Sequence, residues 1–353
     1  MMGLLLKILL LLLVSHLVLV FSDNKTPDDE VTRMLLQFKK SSVESDPNGV
    51  LLNWNLSSSS SSSSSPCSWF GVTCSPAGVV TSLNLSNSGI SGSLNLNYLV
   101  FFTHVDLQHN SFSAADSDNL QPPAPSRHLI CLTIRSMVSM SLTHLNLSHN
   151  ALSGSEFLAS LRDCRLLETL DLSYNNLQGK IPVSGELPLS FGTCSSLVSL
   201  NLGTNQLSGD FITTVISKLQ SPRFLYLPFN NMSGPVPPSL TNCSRLQVLD
   251  LSSNAFTGNI PSGVCSSSSA LEKILLPGNI ISGTVPVELG NCKNLRTINL
   301  SFNNLSGPIP MEIWRLPNLL DLIMWANNLS GGIPEGICTN GGGNLQMLVL
   351  NNN

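Results

Sequence analysis

The sequence predicts an α/β solenoid: a superhelix of stacked coils with parallel strands on its concave face and a helical cap at the N-terminal end. The main observation is a phrase, L-x-x-L-x-L-x-x-N-x-L-x-G-x-I/V-P, that recurs down the chain. It is clearest as LRTINLSFNNLSGPIP from Leu295 and LQVLDLSSNAFTGNIP from Leu246. Its asparagine falls at Asn110, Asn150, Asn175, Asn205, Asn230, Asn254, Asn279, Asn303, Asn327 and Asn353, with Ser88 in its place at the start. Most intervals lie between 22 and 26 residues, a period that marks a repeat architecture. Ahead of the first phrase, the chain turns into an amphipathic stretch that ends in a close cysteine pair.

The first element, residues 1–22, reads as a secretory signal peptide. Lys7 precedes an apolar run from Ile8 to Phe21, and Ser22 and Asp23 break it. The 14 residues between Lys7 and that break are too few to cross a bilayer, which takes about 20. Residues 23–78 form the cap. Thr26, Pro27 and Asp29 suit the first turn of a helix, and Val31, Met34, Leu35 and Phe38 repeat at the spacing of one buried face. The block Ser57–Ser65 has nothing apolar to bury and is expected to lack fixed structure. Then comes CSWFGVTC, whose Cys67 and Cys74 are close enough to bridge in an oxidising compartment. The W-x-G-V-x-C phrase resembles the paired-cysteine cap of plant receptor kinases.

Residues 79–353 hold about eleven repeats. In each, L-x-L is read as a short strand whose leucines face inward, where only neighbouring coils can cover them. The asparagines are read as an inward ladder whose amides bond to loop backbone. The G-x-I/V-P ending supplies a turn and keeps the convex side extended. This version resembles the plant-specific class of leucine-rich repeats, a resemblance that implies a second short sheet and a twisted solenoid. Two stretches break the pattern. Residues 111–141 contain no phrase and run about 16 residues over one period, as a loop excursion or a gene-model artefact would. Residues 179–195 hold two turn endings, GKIP and GELP, where one is expected, as two coils fused imperfectly would.

Cys194, Cys243 and Cys292 are spaced by 49 and occupy equivalent convex sites. Cys265 precedes Cys292 by 27, about one coil, so a bridge between adjacent coils is expected. Cys338 repeats the context of Cys265, with its partner expected past the last residue, which reads as truncation. Sequence leaves the pairing of Cys131, Cys164, Cys194, Cys243 and Cys338 open. Acceptor sequons occur at Asn24, Asn55, Asn84, Asn146, Asn231, Asn242, Asn299, Asn304 and Asn328, although the repeat itself generates N-L-S. The histidines stand in no ligand spacing and read as surface residues.

Net charge is −4 and charged residues make up 11%, so no basic field exists to hold nucleic acid or an anionic membrane. No Gly-rich loop with V-A-I-K, no H-R-D and no D-F-G is present, so these residues do not perform phosphoryl transfer. A wall glycosidase needs paired carboxylates across a cleft, which the isolated strand acids Asp171 and Asp250 do not suggest. No cofactor or metal is implied. Residues 240–353 resemble the brassinosteroid-receptor type of plant receptor-like kinase at the level of whole phrases. That resemblance implies the extracellular part of a receptor, with a protein co-receptor or a peptide or steroid ligand as partner. It also implies a cell-surface location reached through the secretory pathway, with the membrane contacted only through a segment beyond these residues. The alternatives are a secreted inhibitor of microbial cell-wall enzymes and a kinase-less receptor-like protein. Tyr174, Tyr226, Phe229, Phe302 and Trp325 are read as outward positions between the concave leucines and as candidate anchors for the partner.

Overall fold

Alternate residues of a strand leave it on opposite faces, so an L-x-L strand sends both leucines to one side. The computed structural model describes residues 27–55, 65–99, 101–114, 141–154, 166–180, 196–209, 222–238, 240, 243–265, 270–335 and 344–353. Among them, eleven parallel strands, from Val80–Asn84 and His104–Asp106 through to Met347–Val349, form one concave sheet. A twelfth strand, Val72–Cys74, joins its N-terminal edge antiparallel. The inward residues are dry: Leu170, Leu172, Leu200, Leu202, Ile298 and Leu300 are all buried. Each such leucine contributes roughly 1.5–3 kcal/mol, and only because a neighbouring coil covers it.

A second parallel sheet of seven strands, from Gln178–Lys180 to Asn328–Ser330, runs alongside the first. Ser91–Leu94 and Ser111–Ala114 form a separate parallel pair. Where the returning chain is described, it runs along the convex side through short turns. Examples are the 3-10 turns Ser262–Cys265 and Val287–Asn291 and the helical turn Met311–Trp314. Pro286 and Pro310 cap the last two, which suits residues that have no N–H to offer.

The asparagines form the expected ladder, and it uses the whole amide. Asn205 Nδ2 donates to Leu202 O (3.1 Å) and Gly203 O (3.3 Å) in its own coil and to Leu172 O (2.9 Å) in the preceding one. Its Oδ1 accepts from the backbone N–H of Leu177 at 3.0 Å. Asn110, Asn175, Asn230 and Asn303 repeat the arrangement.

The cap is the helix Pro27–Ser42, with Met34, Leu35 and Phe38 buried and Val31 half-buried. Phe38 touches Trp54 and Phe112, and Trp54 stacks on Trp69 at 5.6 Å. The Trp54 indole donates to Phe70 O at 2.9 Å, so its one polar atom is satisfied. Cys67 and Cys74 are disulfide-bonded. Gly92 (φ +154°) lies where the cap meets the first coil: a Cβ there would stand 2.0 Å from Ser42 O, so no larger residue fits.

On the concave side, both long intervals span a single coil. His104 pairs with His144 and Thr169 with Ser199 in unbroken parallel register. Asn150 Nδ2 reaches Leu107 O at 3.0 Å, and Asn205 reaches Leu172 O, as in regular neighbours. Strand pairing therefore counts one coil across residues 179–195, which fits two coils fused imperfectly and a six-residue bulge alike. The surplus segments themselves lie outside the described residues, as do the signal peptide, Thr26, most of the Ser block, and Cys131, Cys164, Cys194 and Cys338.

A second disulfide joins Cys265 to Cys292 with 5.3 Å between Cα atoms, tying the convex turns of two adjacent coils. Closing a loop of 27 residues stabilises the chain by about 3.5 kcal/mol through the unfolded state. Replacing both cysteines with serine is expected to lower stability by about 2–4 kcal/mol, measured as a urea midpoint under non-reducing conditions. Asn205→Ala orphans the Leu177 N–H and takes one of two donors from the Leu172, Leu202 and Gly203 carbonyls, and it is expected to cost about 1–3 kcal/mol. Asn205→Asp keeps the acceptor but loses both donors, so it should not rescue. A midpoint equal to that of the parent would refute the ladder's role.

Candidate functional site

Outward positions are the first and third residues of each strand, and over the N-terminal coils they line a groove of about 440 Å³. Its wall mixes polar and apolar surface: the polar side chains are His104, Asp106, His144, Asn146, Thr169, Asp171, Ser199 and Asn201, with Tyr226 at one end. Each third-position carboxylate or amide has two jobs. Asp171 Oδ1 accepts from Ser173 N (2.9 Å) and Ser173 Oγ (2.6 Å), which ends the strand. Its other oxygen faces the groove and accepts from Asn201 Nδ2 at 3.0 Å. Asn146 divides the same way, capping Ser148 through Oδ1 and donating to Gln108 Oε1 at 3.1 Å. The arrangement offers a row of fixed donors and acceptors across five coils.

The histidines are more ordered than their sequence spacing implies. His104 stacks on His144 with ring centroids 4.3 Å apart, and His109 on His149 at 4.0 Å. Tyr174 extends the second column at 4.1 Å from His149. Both pairs are 40 residues apart in sequence, yet each occupies one register of adjacent coils. Burial lowers the pKa of His144 and of His149, the stacked ring lowers each further, and Glu168 and Asp171 respectively oppose the shift. Burial, with Asp250 beside it, raises the Tyr226 phenol. Among the described residues, no group of three or more His, Cys, Asp or Glu could hold a metal ion.

Of the five aromatic candidates, Tyr226 alone lies in a concave strand between two inward leucines. Tyr174, Phe229 and Phe302 are corrected to a separate row, one per coil, immediately before the ladder position. There the backbone is left-handed, with φ of 54°, 55° and 52°. Trp325 sits one residue earlier than that row and touches Phe302 at 4.0 Å. The strand ends three residues after it begins, so positions past the second leucine turn onto the edge between the two sheets. Such a φ costs a side-chain-bearing residue roughly 1–2 kcal/mol. It is held because each row N–H donates to the following coil, as Tyr174 does to Gly203 O (2.9 Å) and Phe302 to Trp325 O (3.0 Å). Tyr174, Phe229 and Phe302 are 52%, 60% and 51% exposed, so their rings are not there to fill the core.

The sequon asparagines fall into distinct places. Asn84, Asn146 and Asn299 are third-position strand residues of the concave sheet, whereas Asn231, Asn304 and Asn328 are exposed first residues of second-sheet strands. Asn55 is exposed beside the cap, and Asn24 and Asn242 lie outside the described residues.

Comparison with known proteins agrees with this architecture. The leucine-rich-repeat N-terminal domain matches residues 29–75, and leucine-rich repeats match 138–155, 166–194, 245–267 and 294–316. The chain is 40% identical over 222 residues to receptor-like protein kinase BRI1-like 3 of Arabidopsis thaliana, covering 58% of this chain and 18% of that protein. It is 39% identical over 199 residues to serine/threonine-protein kinase BRI1-like 1 of the same plant, covering 52% and 16%. Among solved structures, it resembles the Arabidopsis receptor kinase HAESA ectodomain in complex with an N-terminally extended IDA peptide hormone. The TM-score is 0.66 at 29% identity, covering 92% of this chain and 53% of that one. The chain thus spans less than a fifth of the two kinases, and only their leucine-rich-repeat part is matched.

A histidine whose folded pKa is lowered leaves the unfolded chain to take up the proton first as pH falls. The stability it contributes is therefore complete above about pH 6.5 and is lost as pH drops toward the folded value. Stability is expected to decline from pH 7 to 5 more steeply in the parent than in a His144→Gln, His149→Gln double variant. Titration by NMR should place both rings below ordinary histidine, and midpoints at or above 6.5 would contradict the assignment.

Proposed function

Because the chain is a leucine-rich-repeat solenoid of the plant receptor-ectodomain kind, we propose that it is the extracellular partner-binding portion of a receptor-like kinase of the brassinosteroid-receptor type. It reaches the cell surface through the secretory pathway. The observation that carries this reading is the open groove over the N-terminal coils. Apolar ligands such as steroids require an enclosing wall, whereas this groove is open and carries amides, carboxylates, hydroxyls and imidazoles along its length. That chemistry suits the backbone and side chains of an extended peptide or a protein loop, each coil offering one set of hydrogen bonds. The complex of HAESA with a peptide hormone supports the same class of partner by analogy of fold. Tyr226, which combines a ring with a half-exposed hydroxyl at the groove's end, is the anchor we favour.

The test is direct binding of the secreted chain to fractionated extracellular peptides from plant tissue and to co-receptor ectodomains, read by biolayer interferometry. A Tyr226→Ala, Asp171→Ala variant is expected to weaken binding by roughly ten-fold or more, the scale of a central anchor. A convex-side Glu312→Ala control should be neutral. Equal affinity of the groove variant and its parent would exclude the groove as the docking surface.

A further inference from the structure

Comparing coils separates an asparagine that the stack requires from one that it does not. At the third strand position, Asn84, Asn146 and Asn299 cap Ser86, Ser148 and Ser301 through Oδ1. Asp171 and Asp250 do the same for Ser173 and Ser252. The N-L-S triplet there is a strand terminator that aspartate serves equally. At the residue that follows the ladder asparagine, the fold makes no such demand: Ser111, Ala151, Asn176, Gln206, Ala255 and Ile280 occupy it in other coils. Asn231, Asn304 and Asn328 stand there exposed, and their side-chain amides make no hydrogen bond to any described residue.

Each of these three also follows an aromatic residue: Phe229 and Phe302 lie two residues earlier, and Trp325 three. The ladder residues between, Asn230, Asn303 and Asn327, turn inward, so the ring and the sequon asparagine emerge on the same edge. Where the sequon is missing, the left-handed row carries Asn87, Thr204, Ser253 or Gly278, or else rings already stacked on one another, as Tyr174 is on His149. Aromatic surface therefore accompanies the unconstrained sequons, with Phe229 exposed beside Asn231, and Phe302 and the half-buried Trp325 meeting edge to face beside Asn304 and Asn328.

We propose that Asn231, Asn304 and Asn328 carry N-linked glycans whose first N-acetylglucosamine packs on Phe229, Phe302 and Trp325, making the second-sheet flank a sugar-covered face. In the modification, the amide nitrogen bonds to C1 of a polyprenyl-diphosphate-linked oligosaccharide. The C1–O bond to phosphate breaks, the diphosphate leaves, and the amide gives up one proton. The sugar's axial C–H groups then meet the electron-rich ring face, a contact that covers the exposed aromatic. The inference rests on the secretory reading.

The full chain is expressed in plant cells with its own leader, and in parallel with a heterologous leader in place of residues 1–22. Glycan release in ¹⁸O water followed by peptide mass spectrometry reads each site. Label on Asn231, Asn304 and Asn328 in most molecules is expected, well above that on Asn84, Asn146 and Asn299. In Phe302→Ser, release of the Asn304 glycan from the folded protein should quicken roughly three- to ten-fold, as loss of one aromatic contact implies. Three unlabelled flank sites in the heterologous-leader protein, equal labelling of the concave trio, or an unchanged release rate each overturn the proposal. If only the own-leader protein stays intracellular and unlabelled, the secretory reading falls and the glycan assignment stands.

Discussion

The whole molecule depends on one constraint: a coil cannot satisfy its own backbone. The loop after each concave strand presents carbonyls and N–H groups inward, where no water reaches them, and an unmet buried group costs about 1–3 kcal/mol. The ladder asparagine meets two carbonyls of its own coil and one of the coil before, while its oxygen takes an N–H from that same neighbour. The left-handed residue beside it donates onward to the next coil. Every coil is thus bonded in both directions, and this polar register sets the spacing at which the leucine column can close.

Such a stack sorts residues by what it demands of them. Inward leucines and ladder asparagines are fixed by the fold, so their recurrence carries no message about a partner; strand-terminating Asp171 is tied through Oδ1 and turns its other oxygen to the groove. The informative positions are those where coils differ: the first strand residue, the left-handed row and the start of the second sheet. At these places the N-terminal coils present stacked imidazoles and hydrogen-bonding groups, whereas the later coils present Phe229 and the Phe302–Trp325 pair next to sequons. Two flanks with different chemistry result from one repeated backbone.

The strand register, the ladder and the cap were legible from sequence because each follows from a period and a residue type. The placement of the aromatics was not. Tyr174, Phe229 and Phe302 follow the second leucine by two residues, and strict alternation would turn them inward with it. The chain instead leaves extended geometry after three residues, and only inter-coil hydrogen bonds hold it there. The histidine stacks escaped notice for a different reason. His104 and His144 are 40 residues apart, and nothing local reveals that one coil, not two, separates their registers.

The groove lies across that irregular spacing. Its lining is drawn from strands before the long interval at 111–141, between it and the one at 179–195, and after both. A compact globular core would transmit such insertions to its interior. A solenoid does not, since each doubling of loop length costs only about 0.6 kcal/mol in closure entropy and the concave pairing is set by neighbouring backbone alone. Asp106, Asn146, Asp171 and Asn201 therefore stand in one unbroken row even though the chain between them is of very unequal length. Variation in the returning segments is free to accumulate on the outer side while the inner face keeps a fixed set of hydrogen-bonding groups, and this separation lets a repeat array hold a recognition surface constant as its sequence drifts.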